Sequence, residues 1–351
     1  MTAPLSPSPM AAGREPTLLD VARDAGVSRA TASRVLSGSS RVSPQARQRV
    51  VASAERLRYQ VNAAARSLRT ARTGLVGLLI PGYRNDLYGP IADRLDARLR
   101  DHDLSVIIGS SDWSTSGDLR ILASFAARRL DGMVLAPSND RSPGLAALLG
   151  SLNAPVVLLD REVAHLERDR VLTGLSTAVE DAMGRLADHG HRRIAVTAYG
   201  PHLRPGRQVR HGFAAAVERY GLDDDPALLV GMSGLEPGEG VRVADQLLHA
   251  KPTAAIIGGP TALMAACLRR IRQVLGSGSI PDRLSIVVVG DETVADLHDP
   301  ELDLVSRPIE AIAAALARTL LLRMDEPSVS LQSTTIDLQY RPGASVSSPP
   351  L

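Results

Sequence analysis

Apolar residues follow two different periods along the 351-residue chain. Before residue 60 they recur every three to four residues, which is typical of amphipathic helices. From residue 75 onward short apolar runs alternate with helical patterns, and this alternation favours parallel sheets flanked by helices. The predicted strands are residues 75–80, 104–108, 133–136, 156–159, 194–197, 254–257 and 286–289, with helices between them, for example 88–101, 116–129, 177–189 and 207–220. These elements are too many for one compact sheet, so we predict an α/β body of two lobes with a cleft.

The segment before residue 60 predicts three short helices. Thr17 followed by Asp20 has the pattern of a capping box, because the hydroxyl can accept from a free backbone N–H and the carboxylate lies favourably in the first turn. Ser28 is placed to cap a second helix. Ser43 precedes Pro44 at the first position of a third helix. The sequence therefore predicts a small helical head.

The first two helices of this head are joined by a short turn. Two helices joined in this way form a helix-turn-helix, whose second helix can enter the major groove of DNA. With Ala32 and Val35 directed inward, Arg29, Ala30 and Arg34 lie on the outer face. The Arg34 guanidinium can make a bidentate contact to guanine, whereas Ala30 offers only an apolar contact, for example to a thymine methyl. The alternative is an arginine-rich helical surface that is merely solvated.

The formal net charge of +2 conceals a strong asymmetry. Residues 1–74 carry 12 arginines against four carboxylates, a charge of +8, whereas the rest of the chain carries −6. A basic head on an acidic body indicates a polyanionic partner for the head.

The sequence contains no convincing motif for catalysis, a metal or a cofactor. It lacks a Gly-x-Gly-x-x-Gly after a strand, a phosphate-binding lysine loop and a Gly-x-Ser-x-Gly elbow. Cys267 is the only cysteine, and the eight histidines lack metal-ligand spacing with carboxylates, so we expect neither a disulfide nor a metal site. No apolar run is long enough to span a membrane, and the N-terminus does not have the pattern of a secretory signal. We therefore expect a cytoplasmic binding protein rather than an enzyme.

Residues 17–81, TLLDVARDAGVSRATASRVLSGSSRVSPQARQRVVASAERLRYQVNAAARSLRTARTGLVGLLIP, resemble the start of the lactose/galactose repressor (LacI) family of bacterial transcription regulators. The likeness continues more weakly to about Arg341. It implies a sequence-specific repressor that binds a pseudo-palindromic operator as a homodimer, under the control of a small-molecule effector. The resemblance places Arg29, Ala30 and Arg34 where the family reads bases. The residues at positions that hold phosphates in the family are Thr17, Ser28, Thr31, Ser33, Arg41, Ser43 and Asn62.

Residues 62–69, Asn-Ala-Ala-Ala-Arg-Ser-Leu-Arg, favour a helix by composition. The segment is shorter than the ~12 to 15 residues that an isolated helix needs, so we expect it to fold only when something packs on it. The resemblance implies a hinge helix that pairs with its dimer mate in the minor groove, with Ala65 and Leu68 at the groove and Leu68 wedged into the central base step. The alternative is an alanine-rich linker with an incidental leucine.

The resemblance implies a periplasmic-binding-protein-like body whose ligand lies between the lobes, in loops at the carboxyl ends of the strands. Tyr83 and Tyr88 follow the first strand and match a segment with aromatic ligand contacts. Asp160 is placed to accept hydrogen bonds from a ligand. Trp113 follows the second strand and is a further candidate. The alternative for each aromatic residue is ordinary loop packing.

Three positions of the second lobe depart from the family pattern. Val209 stands where members usually have arginine, Gly259 with Pro260 where they have a polar pair, and Asp291 where they have an aromatic residue before two acidic ones. Either Arg207 or Arg210 is a candidate to replace the missing arginine, and either Asp291 or Glu292 is a candidate to bind a hydroxyl or an amine. These departures predict a ligand other than an ordinary hexose, or no effector at all.

The predicted domains are a disordered tail (1–14), the helix-turn-helix head (15–60), the hinge helix and linker (61–73), the two-lobed body (74–341) and a loose tail (342–351). The resemblance places the first lobe at about 74–170 and 302–326 and the second at about 171–301 and 327–341. No heptad repeat follows Arg341, so we expect a dimer rather than a coiled-coil tetramer. The strongest alternative is a solute-binding protein of the same body fold, but that class needs a secretion signal and lacks a basic head.

Overall fold

The computed structural model describes residues 16–36, 41–59, 72–290 and 292–349. The chain divides into two compact units, a helical head that ends at Thr73 and an α/β body that begins at Gly74. No helix within the described ranges is long and apolar enough to cross a membrane.

The head contains three described helices, α1 (Leu18–Asp24), α2 (Arg29–Leu36) and α3 (Pro44–Arg56). The capping box at the start of α1 is confirmed. Thr17 Oγ1 accepts from the Asp20 N–H at 3.4 Å, and the Asp20 carboxylate accepts from the Thr17 N–H at 2.9 Å. Ser28 and Ser43 cap α2 and α3 by accepting from the N–H groups three residues later, at 3.1 and 3.3 Å.

A small core of its own holds the head together. Its buried apolar residues are Val21, Ala22, Ala25, Ala32, Val35 and Val50. Ser53 is also buried and donates to the Val21 carbonyl at 3.2 Å, which ties α3 to α1. Gly26 has φ +61°, a left-handed conformation that glycine adopts without strain and that lets the chain turn from α1 into α2.

A six-stranded parallel sheet forms the first lobe of the body. Its strands are β1 (Leu75–Ile80), β2 (Ser105–Ser110), β3 (Gly132–Leu135), β4 (Val156–Leu159), β5 (Asp169–Thr173) and β11 (Ser333–Ile336). They lie in the order β11-β5-β4-β3-β1-β2. Helices α4 (Tyr88–Arg100) and α13 (Ile309–Asp325) cover one face, and α5 (Thr115–Ala127) and α6 (Pro143–Ser151) cover the other. Successive strand residues such as Leu78 and Leu79 are therefore buried on opposite faces.

The second lobe repeats this architecture. Its strands are β6 (Ile194–Tyr199), β7 (Leu229–Met232), β8 (Ala254–Gly258), β9 (Ser285–Gly290), β10 (Asp303–Ser306) and β12 (Gln339–Arg341). They lie in the order β12-β10-β9-β8-β6-β7, and only β12 is antiparallel to its neighbour. The helices are α7 (Leu175–Asp188), α8 (Arg204–Tyr220), α9 (Pro237–His249), α10 (Thr261–Leu275), α11 (Ser279–Asp282) and α12 (Glu292–Leu297), with a 3₁₀ turn at Pro226–Leu228.

The chain crosses between the lobes three times in the described body. The crossings follow β5, β10 and β11, at residues 174, 307–308 and 337–338. The expected crossings near 171, 301 and 327 lie too early. The reason is that β5, β10 and β11 are short and partly polar, so the apolar pattern does not correct the bounds that the resemblance implies.

The C-terminal segment is not the loose tail expected for residues 342–351. Ser345 is fully buried, and its hydroxyl donates to the Ile286 carbonyl at 2.5 Å while its N–H donates to Asp303 at 3.2 Å. Val346 packs against the core of the second lobe. Serine is common in mobile segments, but here its hydroxyl and backbone satisfy buried polar groups, so the described residues 342–349 are part of the body.

Candidate nucleic-acid interface and ligand cleft

The outer face of α2 is the candidate for contacts with DNA bases. Arg29, Ala30 and Arg34 are all exposed on it, whereas Ala32 and Val35 are buried on the opposite face. The inward and outward positions are those that the sequence predicts.

Hydroxyl groups cluster at the starts of the three head helices. Thr17 donates to the Asp20 carboxylate at 2.6 Å, and the Ser28 and Thr31 hydroxyls lie 2.9 Å apart. Ser43 caps α3, Ser33 is half-buried on α2, and Arg41 is exposed before α3. Backbone N–H groups and hydroxyls at helix N-termini are suited to anionic partners such as phosphate. Asn62, Ala65 and Leu68 lie outside the described residues.

Of the three aromatic residues predicted to contact a ligand, two line one cavity and the third does not. Tyr88 is buried at the start of α4, and burial raises the pKa of its hydroxyl. Trp113 stacks on Tyr199 of the second lobe, with ring centroids 5.9 Å apart and planes 20° apart. Tyr88, Trp113 and Tyr199 line a cavity of about 40 Å³, little more than the space of one water molecule. Tyr83, by contrast, is 68% exposed and does not line it.

Asp160 is engaged with a residue that the sequence analysis missed. Its carboxylate accepts from Arg204 Nη1 at 2.5 Å and from the Thr173 N–H at 3.1 Å. Both partners of this ion pair are almost fully buried, with 6% of the Arg204 side chain and 11% of the Asp160 side chain exposed. Asp160 has φ +50°, a strained conformation for a residue with a Cβ, and such strain is typical of functional sites.

Arg207 makes a second ion pair between the lobes. Its Nη1 donates to Asp140 Oδ1 at 2.8 Å, and the Asp140 carboxylate, which is fully buried, also accepts from the Arg204 N–H at 2.8 Å. We refer to Asp140, Asp160, Arg204 and Arg207 as the interlobe latch. The two predicted ligand contacts Asp160 and Arg207 are thus occupied by protein partners. Val209, at a position where the family usually has arginine, was a signal in the sequence that another arginine takes its place. That Arg204 is one such arginine, and that it contacts Asp160, is visible only in the fold.

A larger cavity lies beside the small one. It has a volume of about 610 Å³ and is lined by both lobes. The two cavities share Asn85, Leu87, Gly259 and Arg307. Asp291 lies outside the described residues, although its neighbours Gly290 and Glu292 line the larger cavity. A cleft of this size accommodates a small metabolite.

The described residues contain no group of three or more histidine, cysteine, aspartate or glutamate side chains that could hold a metal ion. Cys267 is buried in the second lobe, and burial raises the pKa of its thiol to about 12, so it is not a nucleophile at neutral pH.

Two family models match the chain. Residues 17–62 match the model for bacterial regulatory proteins of the lacI family, and residues 183–346 match a periplasmic binding protein-like domain. Catabolite control protein A of Priestia megaterium is 29% identical over 330 residues, which cover 93% of this chain and 97% of that protein. The HTH-type transcriptional regulator DegA of Bacillus subtilis (strain 168) is 28% identical over 309 residues, which cover 86% of this chain and 90% of DegA.

Solved structures have the same architecture. The transcriptional regulator CelR–cellobiose complex has a TM-score of 0.70 at 25% identity and covers 94% of this chain and 99% of its own. A lac repressor dimer bound to operator and an anti-inducer has a TM-score of 0.82 at 19% identity, covering 95% and 100%, and shows the likeness of fold alone. The matches confirm the predicted fold, a helix-turn-helix head followed by a two-lobed periplasmic-binding-protein-like body.

Proposed function

Because this chain belongs to the LacI family of bacterial regulatory proteins and is a DNA-binding transcription regulator, we propose that it is a repressor that binds a pseudo-palindromic operator as a homodimer. It acts in the cytoplasm, and a small-molecule effector between the lobes controls it. The observation that carries the proposal is the outer face of α2, where Arg29, Ala30 and Arg34 are exposed on a head whose residues 1–74 have a formal charge of +8.

The curated relatives named above are transcription regulators, in agreement with the prediction that the chain is not an enzyme. The basic head also argues against a solute-binding protein, which needs no surface for DNA.

We assign the head residues the roles that the family resemblance implies, and the exposure of Arg29, Ala30 and Arg34 on α2 supports this assignment. Arg29, Ala30 and Arg34 read base edges in the major groove, and Arg34 has the fork geometry that guanine requires. The hydroxyl groups at the helix starts, together with Arg41 and Asn62, hold phosphates and set the register. The hinge segment at residues 61–73 carries Ala65 and Leu68 into the minor groove.

A homodimer is supported by an apolar groove between α10 and α12. Leu268, Val294 and Leu297 line it, and Leu297 is 82% exposed, an unusual position for a large apolar side chain. One head contacts only one half-site, so a second copy is needed for tight binding to a palindrome.

Control by an effector requires that the ligand bind one lobe arrangement more tightly than another. The larger cavity offers room for such a ligand, and Tyr88 and Trp113 supply aromatic surface beside it. The solved structure of CelR is a complex with cellobiose, a property of that protein. The interlobe latch favours a second candidate, a regulator that needs no effector, because the latch holds the lobes together without a ligand.

The experiment is selection of bound sequences from a random duplex library by the full-length chain. We expect enrichment of two inverted half-sites, since each head of a dimer reads one. The variant Arg34→Ala should relax the sequence at one position in each half-site. The control Arg219→Gln removes an exposed arginine of the body and should select the same sequence as the parent chain. A library that is not enriched by the parent chain would refute sequence-specific binding.

A further inference from the structure

Arg307 is a half-buried cation without a carboxylate partner among the described residues. It follows β10 at the second lobe crossing and lines both cavities of the cleft. Within the part of the chain that the structure describes, its guanidinium makes no hydrogen bond and no ion pair, although one of its nitrogens passes close to Gly290. Arginine keeps its charge in proteins, and a desolvated charge without a partner is costly. Such a group is retained where a ligand supplies the missing charge.

Arg161 places a second guanidinium at the smaller cavity. Only 2% of the residue is exposed. Its partners are all uncharged: the carbonyls of Pro137 and Asp160 at 2.7 and 2.9 Å, and the Tyr88 hydroxyl at 3.4 Å. The nearby Asp160 carboxylate forms its ion pair with Arg204. The positive charge of Arg161 on this wall of the cavity is therefore not neutralised by Asp160.

The described carboxylates that line the larger cavity do not pair with Arg307. Asp86, Glu292 and Glu310 are exposed at its rim. Asp86 accepts from the Thr261 N–H at 2.8 Å, and Glu310 pairs with Arg98 and with Arg94. None of the three forms an ion pair with Arg307 in the described structure.

The backbone also contributes positive electrostatic potential to the cleft. Helices α4, α10 and α13 all begin at the larger cavity. The first N–H groups of α4 and α13 have no side-chain cap among the described residues, whereas the Thr261 N–H of α10 donates to Asp86. Each helix start carries a partial positive charge. Trp113, which lines the smaller cavity, contributes a buried indole N–H that has no acceptor among the described residues.

We propose that the interlobe cleft binds an oxyanion, a small polyhydroxylated molecule whose carboxylate or phosphate accepts hydrogen bonds from Arg307. The oxyanion lies at Arg307, where the two cavities meet, and the carbon skeleton extends into the larger cavity, which has room for it. This inference rests on the proposed effector role of the cleft and specifies the chemistry of the effector. It also accounts for the loss of polar side chains at Gly259 and Pro260, because a ligand held by charge needs fewer neutral contacts on that wall.

The test compares ligands that differ only in charge. Unfolding of the full-length chain is followed by the fluorescence of Trp113, the single tryptophan, which reports on the cleft itself. The probes are glucuronate against glucose and galacturonate against galactose for a carboxylate, and glucose 6-phosphate against glucose for a phosphate, each at equal ionic strength set with sodium chloride. We expect at least one anion to raise the melting temperature and its neutral counterpart to leave it unchanged. The inference is overturned if no anion exceeds sodium chloride, or if the neutral sugars stabilise as strongly.

Variants then locate the anion. Arg307→Gln should weaken binding of the stabilising anion about tenfold or more, because charge-assisted hydrogen bonds are the strong ones. Arg307→Lys keeps the charge and should retain part of the affinity. Arg219→Gln removes an arginine with the same charge at an exposed position far along α8 and should bind like the parent. Without ligand, Arg307→Gln should melt no lower than the parent, because it removes an unpaired charge. An anion that binds Arg307→Gln as tightly as the parent overturns the assignment to this site.

The same titrations separate this inference from the proposed function. Operator affinity is measured on the selected duplex with and without the stabilising anion. Anion binding that depends on Arg307 but leaves operator affinity unchanged supports the site and refutes the effector role. Operator binding without any anion binding leaves the DNA-binding function intact and overturns the inference drawn here.

Discussion

At the scale of single residues, we expect Arg34 to determine the sequence specificity of DNA binding and Arg41 to contribute to affinity for any DNA. Arg34→Ala should cost about 1 to 3 kcal/mol on the selected operator and little on random DNA, because a base contact is lost. Arg41→Ala, which removes a proposed phosphate contact, should weaken binding to both duplexes and reduce the slope of affinity against salt by about one. Fluorescence anisotropy at several salt concentrations measures the affinity for each duplex and its dependence on salt. Equal losses on the two duplexes for Arg34→Ala would show that its side chain does not read bases.

The interlobe latch makes a second prediction at this scale. Arg204→Gln leaves the buried Asp160 carboxylate without its cation, and breaking a buried pair in this way costs about 3 to 5 kcal/mol. The double variant Asp160→Asn with Arg204→Gln removes both charges and keeps an acceptor for the Thr173 N–H, so it should regain most of the lost stability. Denaturant unfolding followed by Trp113 fluorescence measures the free energies. Additive losses in the double variant would mean that the pair does not couple the lobes.

At the scale of elements, the docked C-terminal segment predicts a pH dependence of stability. The His191 ring is 1% exposed, and its Nε2 lies 2.8 Å from the Ser347 carbonyl, so this nitrogen carries the proton of the neutral ring. Burial lowers the pKa of His191 below its ordinary value of 6.5. As the pH falls below 6.5, the unfolded chain therefore takes up a proton that the folded chain does not, and the free energy of unfolding decreases.

The variant His191→Gln tests this dependence. Its denaturation midpoint should change less than that of the parent between about pH 7.5 and about pH 5.5, since the other seven histidines are common to both chains. Identical slopes for the two chains would show that His191 is not the titrating group.

The elements also show how far a sequence reveals a fold. Each of the seven predicted strands is present, because a buried parallel strand is a continuous apolar run bounded by turns. Most of the strands that the sequence analysis missed are partly polar, as in β11 (Ser-Thr-Thr-Ile) at a sheet edge. The caps of α1 and α3 were predictable because they depend on neighbours within three residues. The partners Asp160 and Arg204 were not, because only the packing of one lobe on the other brings them together.

At the scale of the whole molecule, we expect the proposed dimer to form through the apolar groove of the second lobe. Leu297→Glu places a charge on that groove and should convert a dimer into a monomer with much weaker operator binding, because an unpaired charge at a buried interface is costly. Light scattering across a dilution series measures the mass. Leu331→Glu, at a residue that is 51% exposed outside the groove, is the matched control and should remain dimeric. A tetramer of constant mass on dilution would contradict the predicted assembly.

The central claim is that two copies of this chain read two inverted half-sites through α2. The most direct measurement is the affinity and stoichiometry of the full-length chain on the selected operator, compared with the same duplex after both half-sites are scrambled. We predict two chains per operator and binding about a thousandfold or more tighter than to the scrambled duplex at physiological salt. Equal affinities for the two duplexes, or one chain bound per operator, would contradict the account.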